Sequence, residues 1–130
     1  PLTDDNDVIL VKQYRKAIEK EILEIPAGKL EIGEEPRETA IRELKEETGY
    51  TAKKMEYLLE FYTSPGFSNE KLYLFIATGL VEGEAEPDRD EYIEITKLKL
   101  DDLLNMISKG DILDCKTIVG ALTVNNYIKK

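Results

Sequence analysis

The chain has 130 residues, 42% of them hydrophobic, which suits one modest core and one domain. Twenty-seven acidic against eighteen basic residues leave a formal charge of −9, and this argues against nonspecific binding along a nucleic-acid backbone, which needs clustered Lys and Arg. With no histidine, a histidine-based triad or histidine-rich zinc site is excluded, and the lone Cys115 excludes an intrachain disulfide.

Behind the turn-forming Asp4-Asp5-Asn6-Asp7, residues 8–13 are mostly apolar and predict a buried strand. Residues 21–24 predict a short strand running into Pro26. A helix follows over about 36–48. Pro36 suits its first position, where a missing N–H costs nothing, and Gly49 is a natural left-handed stop. Strands are predicted over 54–63 and 71–80, separated by Ser64-Pro65-Gly66-Phe67-Ser68-Asn69, a run of turn formers. An acidic connection over 82–91 leads to a strand near 92–96. Helices over about 100–108 and 113–128 close the chain, with a break at Gly110. Cys115, before an apolar helical pattern, is expected to be a small buried residue rather than a nucleophile. This order predicts an α/β fold with a mixed sheet covered on both faces. No apolar run approaches the ~20 residues that span a bilayer. No signal peptide is visible, so a reducing, cytoplasmic setting is expected.

The most informative stretch is residues 28–50, GKLEIGEEPRETAIRELKEETGY. At about 100° per residue, Ala40, Ile41, Leu44 and Thr48 share a stripe expected to face the core. Glu43, Glu46 and Glu47 occupy a neighbouring stripe, and Arg42, beside Glu46 in angle and four residues before it, is placed to pair with one of them. A row of glutamates is also the ordinary make-up of a solvated helix face. Like charges at i, i+4 cost ~0.2–0.5 kcal/mol per pair, however, and Glu43 and Glu47 form such a pair. Magnesium would reverse that penalty, since it takes carboxylate and phosphate oxygens together. Gly28 and Gly33 bracket a loop whose backbone would approach a metal or phosphates.

The spacing Gly-x5-Glu-x7-Arg-Glu-hydrophobic-x-Glu-Glu-x-Gly-hydrophobic resembles the signature of the Nudix hydrolases at every defined polar and glycine position, with Tyr50 as a bulkier occupant of the last slot. The resemblance implies hydrolysis of a nucleoside diphosphate linked to another group. It also implies a three-layer α/β/α sandwich with a central mixed sheet. Glu24-Ile25-Pro26-Ala27-Gly28 before the signature and Ser64-Pro65-Gly66-Phe67-Ser68-Asn69-Glu70 after it look like the ADP-ribose pyrophosphatase branch. Val11-Lys12-Gln13-Tyr14-Arg15 is similar to that branch's early strand, with Lys12 where arginine is common.

By this resemblance Glu43 and Glu47 are the primary metal carboxylates, Glu46 ligates directly or through water, and the Ala27 carbonyl completes part of the shell. The implied cofactor is Mg²⁺, with Mn²⁺ as a substitute. Such cations neutralise the two phosphates, orient them and lower the pKa of the attacking water. Arg42 is expected to orient these carboxylates. Glu34 is either a water-mediated ligand or a charge favouring the positive end of the helix. Arg15 is expected to grip phosphate through its parallel donors. Glu70 is expected to accept hydrogen bonds from the terminal ribose, with Pro65 and Gly66 shaping the approach. The general base is expected on the acidic loop Asp88-Arg89-Asp90-Glu91, where Arg89 departs from a more uniformly acidic pattern. Glu91 is the candidate, because a loop carboxylate can swing to a water that helix carboxylates do not reach.

The implied reaction is hydrolysis of ADP-ribose to AMP and ribose 5-phosphate, with water attacking the adenosine-side phosphorus. Alternatives are another nucleoside diphosphate sugar or a dinucleotide such as NADH, and a nucleotide-binding regulator without catalysis. A regulator would be marked by a missing signature carboxylate, and none is missing. Neither nucleic acid nor membrane is an expected partner. The chain starts at Pro1 without an initiator Met. The resemblance implies a preceding antiparallel sheet that crosses to a partner subunit, so the full-length protein is expected to be a homodimer.

Overall fold

Alternate residues of one strand enter two different cores, and this sets the layers of the fold. The computed structural model describes residues 1–85 and 93–129. Strand β1 (Asp7–Arg15) lies between β2 (Lys20–Glu24) and a strand at Glu94–Lys99. The intervening β3 (Thr51–Tyr62) and β4 (Lys71–Val81) form a long hairpin, which makes Glu94–Lys99 β5. Helix α1 (Pro36–Thr48) precedes the hairpin, and α2 (Leu100–Ser108) and α3 (Cys115–Ile128) end the chain.

Successive side chains of a strand point to opposite faces. Ile9 accordingly packs with Leu44, Tyr50, Met55 and Ala77 on the α1 side. Val8 and Leu10 pack with Ile76, Leu100, Leu103, Ile112 and Ala121 on the α2–α3 side. Strand β4 splits in the same way, Ala77 to one core and its neighbour Ile76 to the other. Fully burying an aliphatic side chain contributes ~1.5–3 kcal/mol, so both cores add to stability. The result is a three-layer α/β/α sandwich.

Among the described residues the ladders are antiparallel and fall in two sheets, with Val11 opposite Glu24, Val8 opposite Leu98 and Met55 opposite Ala77. Leu2 stitches the two sheets together. It bridges to Val8 in β1, and its N–H donates to the Ala77 carbonyl in β4 at 2.9 Å.

Helix α1 ends where Gly49 takes a φ of 80°, its N–H donating to the Lys45 carbonyl at 2.8 Å. Side chains other than glycine disfavour this conformation. A Cβ at Gly49 would also overlap the Gly83 carbonyl and come within 2.7 Å of the Ala85 nitrogen, so the end of α1 lies directly on the chain leaving β4.

Three expectations are corrected. Ile41 is 40% exposed, because Thr39, Leu44, Glu47 and Thr48 fill the inward side of α1. The buried threonines are satisfied locally, Thr39 donating to Glu34 at 2.7 Å and Thr48 to the Leu44 carbonyl at 2.5 Å. Cys115 is exposed rather than buried. It is the first residue of α3 after the Asp114 cap, and Thr117 takes the inward position instead. The last strand starts at Glu94, later than expected, and Tyr92 lies outside the described residues.

Candidate active site

The loop from β2 to α1 brings its backbone onto the glutamates of the helix. The Ala27 N–H donates to Glu47 Oε2 at 3.1 Å, and Glu47 is only 7% exposed. A Cβ built on Gly28 would overlap the carboxyl group of Glu43, so any larger residue here would have to displace that side chain. Glu43 and Glu47 thus meet the chain at residues 28 and 27.

Arg42 is the hub of the surrounding charges. Its Nε donates to Glu34 at 2.7 Å and its Nη2 to the same carboxylate at 3.0 Å. Its Nη1 donates to Glu43 at 2.9 Å and to Glu46 at 3.1 Å, and Nη2 also reaches the Lys29 carbonyl at 3.1 Å. The expected pairing with a helix glutamate is present at both Glu43 and Glu46, together with Glu34 and, at 3.7 Å, Glu31. Hydrogen bonds from Arg42, then from the Glu31 backbone N–H and the Thr39 hydroxyl, hold the Glu34 carboxyl down to about 2. The same contact with Glu34, followed by that with Glu43, raises the Arg42 guanidinium further above its usual value, outweighing desolvation. Glu34 therefore anchors the arginine that in turn holds Glu43 and Glu46.

Among the described residues no three acidic groups are gathered closely enough to hold a metal ion as they stand. Glu46 is drawn to Arg42, while Glu43 and Glu47 flank the Ala27–Gly28 backbone. The donors on offer are carboxylate and carbonyl oxygens, which suit a hard divalent cation. On donor chemistry the site fits such an ion.

A cleft of about 430 Å³ runs from this point toward the turn between β3 and β4. Ala27, Gly28 and Glu43 line it, as do Glu70, Lys71 and Lys116. Glu70 is fixed by the turn: its carboxylate accepts from the Thr63 hydroxyl at 2.8 Å, and its own N–H donates to Ser68 Oγ at 3.1 Å. Pro65 and Gly66 are exposed in that turn, where the Ser64 carbonyl accepts from Phe67 and Ser68 N–H groups at 3.1 and 2.9 Å. They do not line the cleft. Arg15 is bound to Glu24, Nε at 2.7 Å and Nη2 at 2.6 Å, with its side chain 49% exposed. Asp88, Arg89, Asp90 and Glu91 lie outside the described residues.

A further charged group, not expected from the sequence, surrounds Glu24. This carboxylate is 1% exposed and also accepts from Lys116 Nζ at 2.6 Å. Burial pushes its carboxyl up, but the hydrogen bonds from Arg15 and Lys116 prevail and leave it below the usual range. The available signal was Asp114, three residues before Thr117, a spacing that marks a helix N-cap.

The NUDIX domain family model matches residues 1–113, and the chain belongs to this family. Nudix hydrolases generally use divalent metal ions. Over 120 residues the chain is 50% identical to the methanol dehydrogenase activator of Bacillus methanolicus, covering 91% of this chain and 65% of that protein. Over 118 residues it is 50% identical to the ADP-ribose pyrophosphatase of Bacillus subtilis, covering 89% and 64% respectively. The chain therefore spans a little under two thirds of the length of these relatives. Its fold matches the crystal structure of an ADP compounds hydrolase with a TM-score of 0.88 at 24% identity, over 98% of this chain and 70% of that one. No helix among the described residues is long and apolar enough to cross a membrane.

Proposed function

We propose that the protein hydrolyses the pyrophosphate bond of ADP-ribose, releasing AMP and ribose 5-phosphate, with Mg²⁺ as its metal and Mn²⁺ as a substitute. The observation that carries this reading is the single cleft joining Glu43 and the Ala27–Gly28 backbone at one point to Glu70 at another. A diphosphate would lie against the first and a sugar against the second. The 50% identity to an ADP-ribose pyrophosphatase supports the choice of substrate.

Glu43, Glu46, Glu47 and the Ala27 carbonyl would hold the cation. When bound, Mg²⁺ supplies charge neutralisation at the pyrophosphate and a lowered pKa for the attacking water. Arg42 holds Glu43 and Glu46 in register. Arg15 donates to a phosphate, and Glu70 accepts from the vicinal hydroxyls of the terminal ribose. Pro65 and Gly66 shape the turn that carries Glu70. Glu91 takes the proton of the water that attacks the adenosine-side phosphorus, with ribose phosphate leaving. If Glu91 is that base, Glu91→Gln lowers kcat by more than about tenfold, and a smaller loss removes it from the role. Hydrolysis in ¹⁸O-labelled water tests the site of attack. Label in AMP supports it and label in ribose phosphate reverses it. The full-length protein acts in this reading as a cytoplasmic homodimer.

A second reading, a regulatory role toward a dehydrogenase, draws on the equal 50% identity to the methanol dehydrogenase activator. Release of AMP from ADP-ribose, assayed with Mg²⁺ and again with excess chelator, separates the two. A regulator without catalysis releases none under either condition.

A further inference from the structure

We propose that Lys116 is a positioning residue for the phosphate subsite: by neutralising buried Glu24 it leaves Arg15 able to turn one edge of its guanidinium to an anionic substrate. This rests on the reading of Arg15 as a phosphate-binding residue given above.

Glu24 ends β2 and faces two cations, Arg15 from the end of β1 and Lys116 from the first turn of α3. Lys116 Nζ lies 2.6 Å from Glu24 Oε1 and 2.9 Å from Asp114 Oδ2. Asp114 also accepts from the Thr117 hydroxyl at 2.6 Å, and that hydroxyl oxygen accepts the Ile25 N–H at 2.9 Å. Two cations and two carboxylates thus balance in charge. Lys116 is 14% exposed and is held on both sides, whereas Arg15 is 49% exposed. Lys116 is therefore the fixed counter-ion of Glu24 and Arg15 the adaptable one.

A buried carboxylate left with a single cationic partner holds that partner tightly, since the alternative is an uncompensated buried charge. Without Lys116, Glu24 would claim Arg15 entirely. With Lys116 in place, Glu24 accepts two donors from Arg15 and stays paired while the guanidinium also serves a phosphate. The bond to Glu24, and to a lesser degree the charges of Asp114 and Glu47, raise the Arg15 guanidinium above its usual value. The chain from Glu24 adds a second link. Thr117 fixes the Ile25 N–H and Glu47 fixes the Ala27 N–H, so the chain leaving β2 is tied at two successive points.

The test measures affinity for inorganic pyrophosphate by calorimetry in Mg²⁺ buffer, alongside ADP-ribose kinetics, on the full-length protein. Lys116→Met should raise the pyrophosphate Kd and the KM by about tenfold with kcat within about threefold, the pattern of lost uniform binding. Lys116→Arg, which keeps the charge, should stay near wild type. The discriminating variant is Glu24→Gln/Lys116→Met, which removes both charges and frees Arg15; it should bring Kd and KM back to within about threefold of wild type. A double variant as weak as Lys116→Met overturns the proposal, since a directly contacting or merely structural lysine predicts that result. So does a Lys116→Met protein with wild-type Kd, or a wild type without affinity for pyrophosphate. Should Lys116→Met fail to fold, Lys116→Gln keeps a neutral donor to Glu24 and carries the same comparison. A wild type that binds pyrophosphate in this pattern but leaves ADP-ribose intact refutes the substrate reading and leaves the role of Lys116 standing.

Discussion

The Ala27 N–H donates to Glu47 Oε2 at 3.1 Å across 20 residues, tying the loop that enters α1 to the helix's last turn. Replacing Glu47 with Gln keeps an amide oxygen for Ala27 and removes the charge. The fold should therefore survive, with thermal midpoint little changed, while turnover falls more than about a hundredfold, or ~2.7 kcal/mol in the barrier. Retention of more than about half the wild-type rate at saturating Mg²⁺ would remove Glu47 from the metal site.

Gly28 and Gly33 bracket the same loop but predict opposite outcomes. A Cβ at Gly28 overlaps the Glu43 carboxyl group, so Gly28→Ala must displace a candidate metal ligand and should lower kcat by at least about tenfold. At Gly33 the φ is 84° and nothing lies within 4 Å of a Cβ. Gly33→Ala should therefore cost about 1–2 kcal/mol of stability for the left-handed backbone and leave kcat unchanged. Steady-state kinetics paired with urea unfolding checks both, and equal effects on kcat would contradict the assignment.

How much of this the sequence revealed depended on how local each cause was. Pro36 and Gly49 fixed the bounds of α1, because a missing N–H and a left-handed stop act within one turn. The i, i+4 spacing likewise predicted Glu43 above Glu47 and Arg42 beside Glu46. The inward face of α1 was misjudged at Ile41, because an angular rule does not reveal that Thr39 and Thr48 satisfy their hydroxyls and can be buried. Glu34 left two readings open; its role as the anchor of Arg42 depends on how the loop folds back. Least legible was the Glu24–Lys116 pair, 92 residues apart, which only tertiary structure brings together.

Glu34 also makes stability depend on pH. Its carboxyl is held at about 2 against a usual 4.5, chiefly by Arg42. A depressed carboxyl contributes stability that is fully present above the unfolded value and is lost as pH falls through the folded one. Arg42→Met should therefore unfold at a lower temperature than wild type at neutral pH, and the gap should narrow between pH 4.5 and 2. Thermal midpoints measured across that window check it. A gap that stays constant would show that the Glu34 contact does not carry the effect.

Gly49 carries two constraints at once, a φ of 80° and the backbone of residues 83–85 against its Cα. The left-handed conformation alone costs about 1–2 kcal/mol for an alanine, and the overlap with backbone adds to that. Gly49→Ala should lose more than about 2 kcal/mol in denaturant unfolding, well beyond Gly33→Ala. Equal losses at the two glycines would mean that the contact with 83–85 contributes nothing.

The substrate reading is tested most directly by kcat/KM for ADP-ribose against another nucleoside diphosphate sugar and NADH, with Mg²⁺ and product analysis. ADP-ribose should rank first and yield AMP and ribose 5-phosphate. An ADP-ribose value more than about tenfold below the best substrate, ~1.4 kcal/mol in transition-state binding, would contradict it.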